Sequence, residues 1–150
     1  MTTFNTPRAR FGLSFSLIAR QWRRVMQTNL ASIGLTDTAW VPLVHLSECK
    51  GITLKELALR VGVDSSSLVR IIDSLERDGL VERKRDEEDG RVKQIYLTQS
   101  GEQQVNSIRT ELCRFEETML PDFSDAELEV MLTMFERLQV RLDDYEDKQD

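Results

Sequence analysis

Ser65, Ser66, Ser67 and Arg70 form one compact polar group, and Arg83, Lys84, Arg85, Arg91 and Lys93 form a second soon after it. Short hydroxyls can bond to phosphates or base edges, and an arginine is long enough to reach either a phosphate or a guanine. An arginine at a hairpin tip suits a narrow minor groove, where negative potential is concentrated. This is the chemistry of recognising a polyanion. Catalysis has no comparable set of residues. His45 is the only histidine, and the chain has no Gly-rich phosphate loop and no Ser/His/Asp or metal-ligand spacing. Cys49 and Cys113 lack metal-ligand spacing, and two thiols make no disulfide framework. They read as inert packing residues. The residues therefore point away from an enzyme and imply neither a cofactor nor a metal.

The elements that must position these groups can be read from residues 53–81. Thr53 and Glu56 have capping-box spacing, so a helix starts there. Leu57, Ala58, Val61, Val63, Leu68 and Ile71 recur at helical steps, with Gly62 between two short helices. Such spacing suits a helix-turn-helix, with Asp64 capping the second helix, Val63 and Leu68 stapling it, and Gly79 ending it. One face of that second helix packs, and the other is free to enter a major groove. Val81–Arg85 and Val92–Leu97 read as strands around a polar loop at 86–91, placing the second cationic group on a hairpin wing.

The flanking segments are helical. Phe11, Phe15, Ile18, Trp22, Val25 and Leu30 follow one face of a first helix, and Trp40, Leu43, Val44 and Leu46 mark a second after Thr36. Pro42 removes a backbone donor from that second helix and predicts a kink. Val105, Ile108, Leu112, Phe115 and Met119 define a further helix. After Pro121, a Ser124–Glu127 capping box opens another, carrying Leu128, Leu132, Phe135, Leu138, Leu142 and Tyr145. The expected fold is mainly α, a winged helix-turn-helix in the order α/α/α/α/β/β/α/α.

Net charge is −6, which by itself argues against nucleic acid, but the charges are unevenly placed. Residues 1–31 hold five arginines and no acid, whereas residues 99–150 hold five basic and fourteen acidic residues. Local positive potential can coexist with an acidic region elsewhere. No apolar run approaches the roughly 18 residues of a membrane span, and the N-terminus lacks signal-peptide organisation. A cytoplasmic protein without a membrane partner is the expectation.

The run from Leu80 to Thr98, LVERKRDEEDGRVKQIYLT, resembles the wing of the MarR family of transcription regulators through Asp86, Asp89, Arg91 and Leu97-Thr98. Arg20-Gln-Trp-Arg23, Leu35 to Trp40, and Ser67-Leu-Val-Arg70 resemble that family's SlyA-like branch. The resemblance extends over about residues 10–145. It implies one domain over 1–150, with a winged core at about 36–98 and dimerisation helices at about 8–31 and 99–146. It further implies a homodimer that binds duplex DNA at an inverted repeat. Ser65, Ser66, Ser67, Arg70, Arg83, Arg85, Arg91 and Lys93 would face DNA, and Asp89 would steady Arg91 by a salt bridge. The resemblance also points to a small aromatic carboxylate ligand near Arg20, Arg23, Thr38, Trp40 and His45. Glu87 and Glu88 depart from the pattern, because they bring acid to the wing tip. The family's peroxide sensors carry a cysteine early in the first helix, and residues 1–31 contain none.

Overall fold

A computed structural model describes residues 6–34 and 39–149. The chain runs α1 (Pro7–Ala31), α2 (Trp40–Ser47), β1 (Ile52–Thr53), α3 (Leu54–Val61) and α4 (Ser65–Arg77), then β2 (Val81–Arg85), β3 (Lys93–Leu97), α5 (Gln99–Met119) and α6 (Asp125–Glu146). Contacts divide it into two compact units, Met1–Phe115 and Glu116–Asp150. The mainly helical fold with a small antiparallel sheet follows the expected order, apart from one added strand.

The first unit is organised around the helix-turn-helix. Thr53 caps α3 by accepting from the Glu56 backbone N–H at 3.2 Å, and Glu56 returns the bond to the Thr53 N–H at 3.0 Å. Gly62 follows α3 with φ +76°, a left-handed conformation a side chain would resist. At the end of α4, Leu80 N–H donates to the Leu75 carbonyl at 2.9 Å and Gly79 N–H to Glu76 at 3.0 Å. These two bonds form a Schellman stop, with Gly79 at φ +72°. Leu57, Leu68 and Ile72 are fully buried and join Leu30, Leu43, Ile95 and Ile108 in one core. The turn, the sheet and three flanking helices are thus locked to one apolar centre.

β1 pairs antiparallel with β3, which pairs with β2, giving the order β1-β3-β2. β1 was not expected. Two residues are too short for an alternating pattern to emerge, although Ile52 is buried opposite Ile95. Gly51, at φ +90°, lets this strand approach; a Cβ there would lie 2.6 Å from Gln94 Oε1. Pro42 is a second correction. It falls in the first turn of α2, where its backbone nitrogen has no intrahelical acceptor to lose, so no kink is required.

Thr98 ties the wing to α4 and α5. Its hydroxyl donates to the Gly79 carbonyl at 2.6 Å and accepts from the Gly101 N–H at 3.1 Å. Gly101 is buried so tightly that a Cβ would overlap the Leu80 carbonyl oxygen. On α1, Trp22 meets Phe115 edge-on at 5.0 Å between ring centroids, while the N-terminal half leaves Phe11, Leu13, Leu17 and Ile18 exposed.

In the second unit, Ser124 and Glu127 close the expected capping box at the start of α6. No described residue of α6 is buried. Leu132, Leu142 and Tyr145 remain 54%, 49% and 65% exposed. No described residue of this unit covers them.

Candidate nucleic-acid interface

α4 buries Leu68, Ile72 and Leu75, so its 3.6-residue period turns Ser66, Arg70 and Arg77 outward in one row. Arg77 was not among the expected contacts. Its spacing of seven from Arg70 was the available signal. Ser65 lies nearer the packed side. Asp64 caps the helix, accepting from the Ser67 N–H at 2.8 Å. Its carboxylate also accepts from the Ser66 hydroxyl and, at 2.8 Å, from the Ser67 hydroxyl. These donors, Ser66 foremost, hold the Asp64 carboxyl well below the usual carboxylate range. Two of the three serines are therefore already engaged, where the sequence suggested free hydroxyls.

On the wing, register sorts the cations. Val81, Arg83 and Arg85 share one face of β2, opposite Leu97, Ile95 and Lys93. Arg83 turns back to α4, reaching Asp73 at 2.6 Å and Glu76 at 3.0 Å. The Asp73 hydrogen bond raises its pKa further. Arg83, expected to face DNA, instead braces the wing against the helix. Lys84 lies on the other face, 2.8 Å from Glu82 and 5.3 Å above the Tyr96 ring. Glu82 holds its pKa up. Arg85, Arg91 and Lys93 are exposed and form no ion pair among the described residues.

The turn between the strands is held by Asp86 more than by Asp89. Asp86 accepts from the Glu88 N–H at 2.8 Å, the Asp89 N–H at 3.3 Å and Gln94 Nε2 at 3.0 Å. Asp89 accepts from the Arg91 backbone N–H at 3.0 Å, not from its guanidinium. The expected Asp89–Arg91 salt bridge is thus replaced by a backbone bond that shapes the turn and leaves the Arg91 side chain unpaired. Glu87 and Glu88 are exposed on that turn.

The described residues expected near a ligand lie on α1 and α2. Arg20 and Arg23 are exposed on α1, His45 is half-buried on α2, and Thr38 lies outside the described residues. Trp40 is only 8% exposed, yet its Nε1 has no hydrogen-bond partner among the described residues. A groove of about 420 Å³ is lined by Leu46, Lys50, Tyr96, Val105 and Arg109, and Arg20, Arg23, Trp40 and His45 are not among its lining residues. Cys49 accepts a weak bond from Arg60 at 3.1 Å. Cys113 is exposed, which corrects its expected packing role. No helix among the described residues is long and apolar enough to cross a membrane.

Comparison with known proteins places this arrangement. The sequence pattern of the MarR family matches residues 35–93, the stretch from before α2 to the first residue of β3. The transcriptional regulator PA3341 is 30% identical, with TM-score 0.80 over 89% of this chain and 98% of that one. The transcriptional regulator SlyA is 25% identical, with TM-score 0.75 over 94% and 98% of the two chains. A MarR family regulator from Listeria monocytogenes, solved with a 26mer DNA, is 22% identical, with TM-score 0.76 over 87% of each chain.

Proposed function

This chain belongs to the MarR family of transcriptional regulators, and on that premise we propose that it binds an inverted-repeat operator in duplex DNA as a homodimer. The observation that carries the reading is the sorting of cations. Arg83 and Lys84 are neutralised within the chain, whereas Arg85, Arg91 and Lys93 are exposed beside a helix whose outward row holds Arg70 and Arg77. Unpaired cations next to a groove-sized helix suit a phosphate-lined surface. The Listeria relative, solved with DNA, supports the same use of the shared fold. In this reading Ser66, Ser67 and Arg70 meet base edges, Ser65 lies at the rim, and Arg91 enters the minor groove.

The homodimer reading rests on apolar surface. Phe11, Leu13, Leu17 and Ile18 on α1 and Leu132, Leu142 and Tyr145 on α6 are exposed, more than scattered surface apolar residues require. A second copy of these helices is the occupant that makes one MarR-type domain over 1–150 a complete unit. The SlyA-like assignment is supported by SlyA's place among the similar structures. A cytoplasmic location fits a regulator whose partner is DNA.

A small aromatic carboxylate is the proposed effector. Trp40 offers a buried Nε1 donor without an acceptor among the described residues, and a buried donor left unpaired costs about 1–3 kcal/mol. Arg20 and Arg23 supply cations for the acid, while His45 and Thr38 complete the proposed neighbourhood. Selecting bound duplexes from a random pool tests the main reading. Enrichment of a two-fold symmetric sequence supports it, and no enrichment over input overturns it.

A further inference from the structure

α2 ends on Ser47, whose hydroxyl donates its one proton to the Val44 carbonyl at 2.5 Å and so meets any further partner as an acceptor. That partner is Arg109 of α5, whose Nη2 donates to Ser47 Oγ at 3.0 Å. A guanidinium carries five N–H donors. Spending one on a neutral hydroxyl positions Arg109 without neutralising it. Lys50, just past α2, lines the same groove of about 420 Å³, and neither cation forms an ion pair among the described residues. Leu46 and Val105 give the groove an apolar lining, and Tyr96 of β3 adds an aromatic ring. Glu102 brings one acid against the two cations. All of these residues belong to the first compact unit.

Tyr96 also connects the groove to the wing. Its hydroxyl donates to Gln94 Oε1 at 2.8 Å, and Gln94 Nε2 donates to Asp86 Oδ2 at 3.0 Å. Asp86 in turn accepts from the backbone N–H groups of Glu88 and Asp89, in the turn that carries Arg91. A hydrogen bond to an ionised acceptor is roughly twice as strong as one between neutral groups. A carboxylate seated beside Tyr96 therefore draws its proton away from Gln94 and loosens the hold of Gln94 on Asp86.

We propose that this groove binds a small organic carboxylate through Lys50 and Arg109, and that its occupancy reaches the wing turn through Tyr96, Gln94 and Asp86. Its volume is that of a small-molecule site, and a guanidinium with unspent donors suits the two oxygens of a carboxylate. Tyr96 supplies the differential contact that coupling requires, bonded to Gln94 when the groove is empty and to the ligand when it is filled. The groove is separate from the effector neighbourhood of Arg20, Arg23, Trp40 and His45, none of which lines it.

The test is titration of the isotope-labelled full chain with benzoate and with benzamide, an uncharged molecule of the same shape, read from N–H resonances in nuclear magnetic resonance. Benzoate should shift Lys50, Tyr96 and Arg109, and also Glu88 and Asp89. Benzamide should need about tenfold more for the same shifts, as expected when a charged contact is lost. Lys50→Gln/Arg109→Gln should abolish these benzoate shifts, whereas Arg20→Gln/Arg23→Gln should leave them. Tyr96→Phe should keep the shifts at Lys50 and Arg109 and lose those at Glu88 and Asp89. Thermal melting of each variant checks that the fold is retained. Benzoate shifts that are absent at Lys50 and Arg109, or that persist in the folded Lys50→Gln/Arg109→Gln variant, overturn the site. Shifts at Glu88 and Asp89 that are missing in the wild type, or that survive Tyr96→Phe, overturn the connection to the wing. Shifts at Lys50 and Arg109 produced by duplex DNA and not by benzoate make the two cations a nucleic-acid contact and overturn the site as well. None of the benzoate readouts involves DNA, so their failure leaves the DNA reading standing.

Discussion

Salt dependence of DNA binding separates the two kinds of wing cation. Lys93→Ala removes an exposed charge with no ion pair among the described residues, whereas Lys84→Ala removes one that sits 2.8 Å from Glu82. Each phosphate contact contributes about 0.9 to the slope of log affinity against log salt. Lys93→Ala removes the contact from both protomers of a dimer, so it should flatten the slope by about 1.8 and no longer lose the roughly 12-fold in affinity that a fourfold rise in salt costs the pair. Removing Arg85, Arg91 and Lys93 together takes six charges from the dimer and should flatten the slope by about 5.4, or roughly 2,000-fold over the same salt range. Lys84→Ala should leave the slope unchanged within about 0.3, because its charge is already balanced inside the protein. Fluorescence anisotropy of a labelled operator between 50 and 200 mM salt, conditions over which such slopes are read, gives each value. A Lys84→Ala slope that falls as far as that of Lys93→Ala would refute the sorting of cations by their ion pairs.

Other outcomes follow from the packing and the caps. Gly101→Ala places a methyl against the Leu80 backbone carbonyl, which cannot rotate away. Overpacking of this kind costs about 3 kcal/mol at the upper end, and calorimetry should show a melting point lower by roughly 6–12 °C; an unchanged melting point would contradict the close approach. Glu56 and Glu127 have pKa values lowered from the ordinary 4.5, first by the backbone N–H of Thr53 and of Ser124. Their stabilisation is therefore complete above 4.5 and is lost as pH falls through the lowered folded values, so Glu56→Gln should reduce the acid-side loss of stability in melts between pH 7 and about 3. Leu132→Glu with Leu142→Glu, on a helix with no buried residue, should leave helicity intact and convert the dimer to monomer in sedimentation; a stable double-variant dimer would remove α6 from the interface.

Features set by neighbouring residues were legible in the sequence. The Thr53–Glu56 and Ser124–Glu127 boxes, the Asp64 cap and the Gly79 stop each depend on groups within a few positions. On α4 the periodic reading found Leu68 but took Ile71 for the next core position, where the structure buries Ile72 and Leu75. Features set by how elements meet were not legible. Arg83 looked like one more wing cation until the hairpin placed it against Asp73 and Glu76, seven to ten residues earlier in the chain. Asp89 looked like an ion-pair partner until turn geometry aimed it at a backbone N–H. β1 is a two-residue pairing with β3, a tertiary event that leaves almost no periodic trace. The proton commitment of Ser66 and Ser67 needed side-chain geometry, since three serines in a row look the same whether they donate or accept.

The symmetric dimer on DNA is tested most directly by the spacing of the operator's half-sites. Two identical α4 helices entering one face of the duplex require half-site centres about 10 base pairs, or 34 Å, apart. Affinity is measured for the selected operator and for the same operator with about five base pairs inserted at its centre, which turns the half-sites to opposite faces. The inserted duplex should bind no better than scrambled DNA. Equal affinity for the two duplexes would contradict a two-fold dimer reading DNA through α4 and the wing.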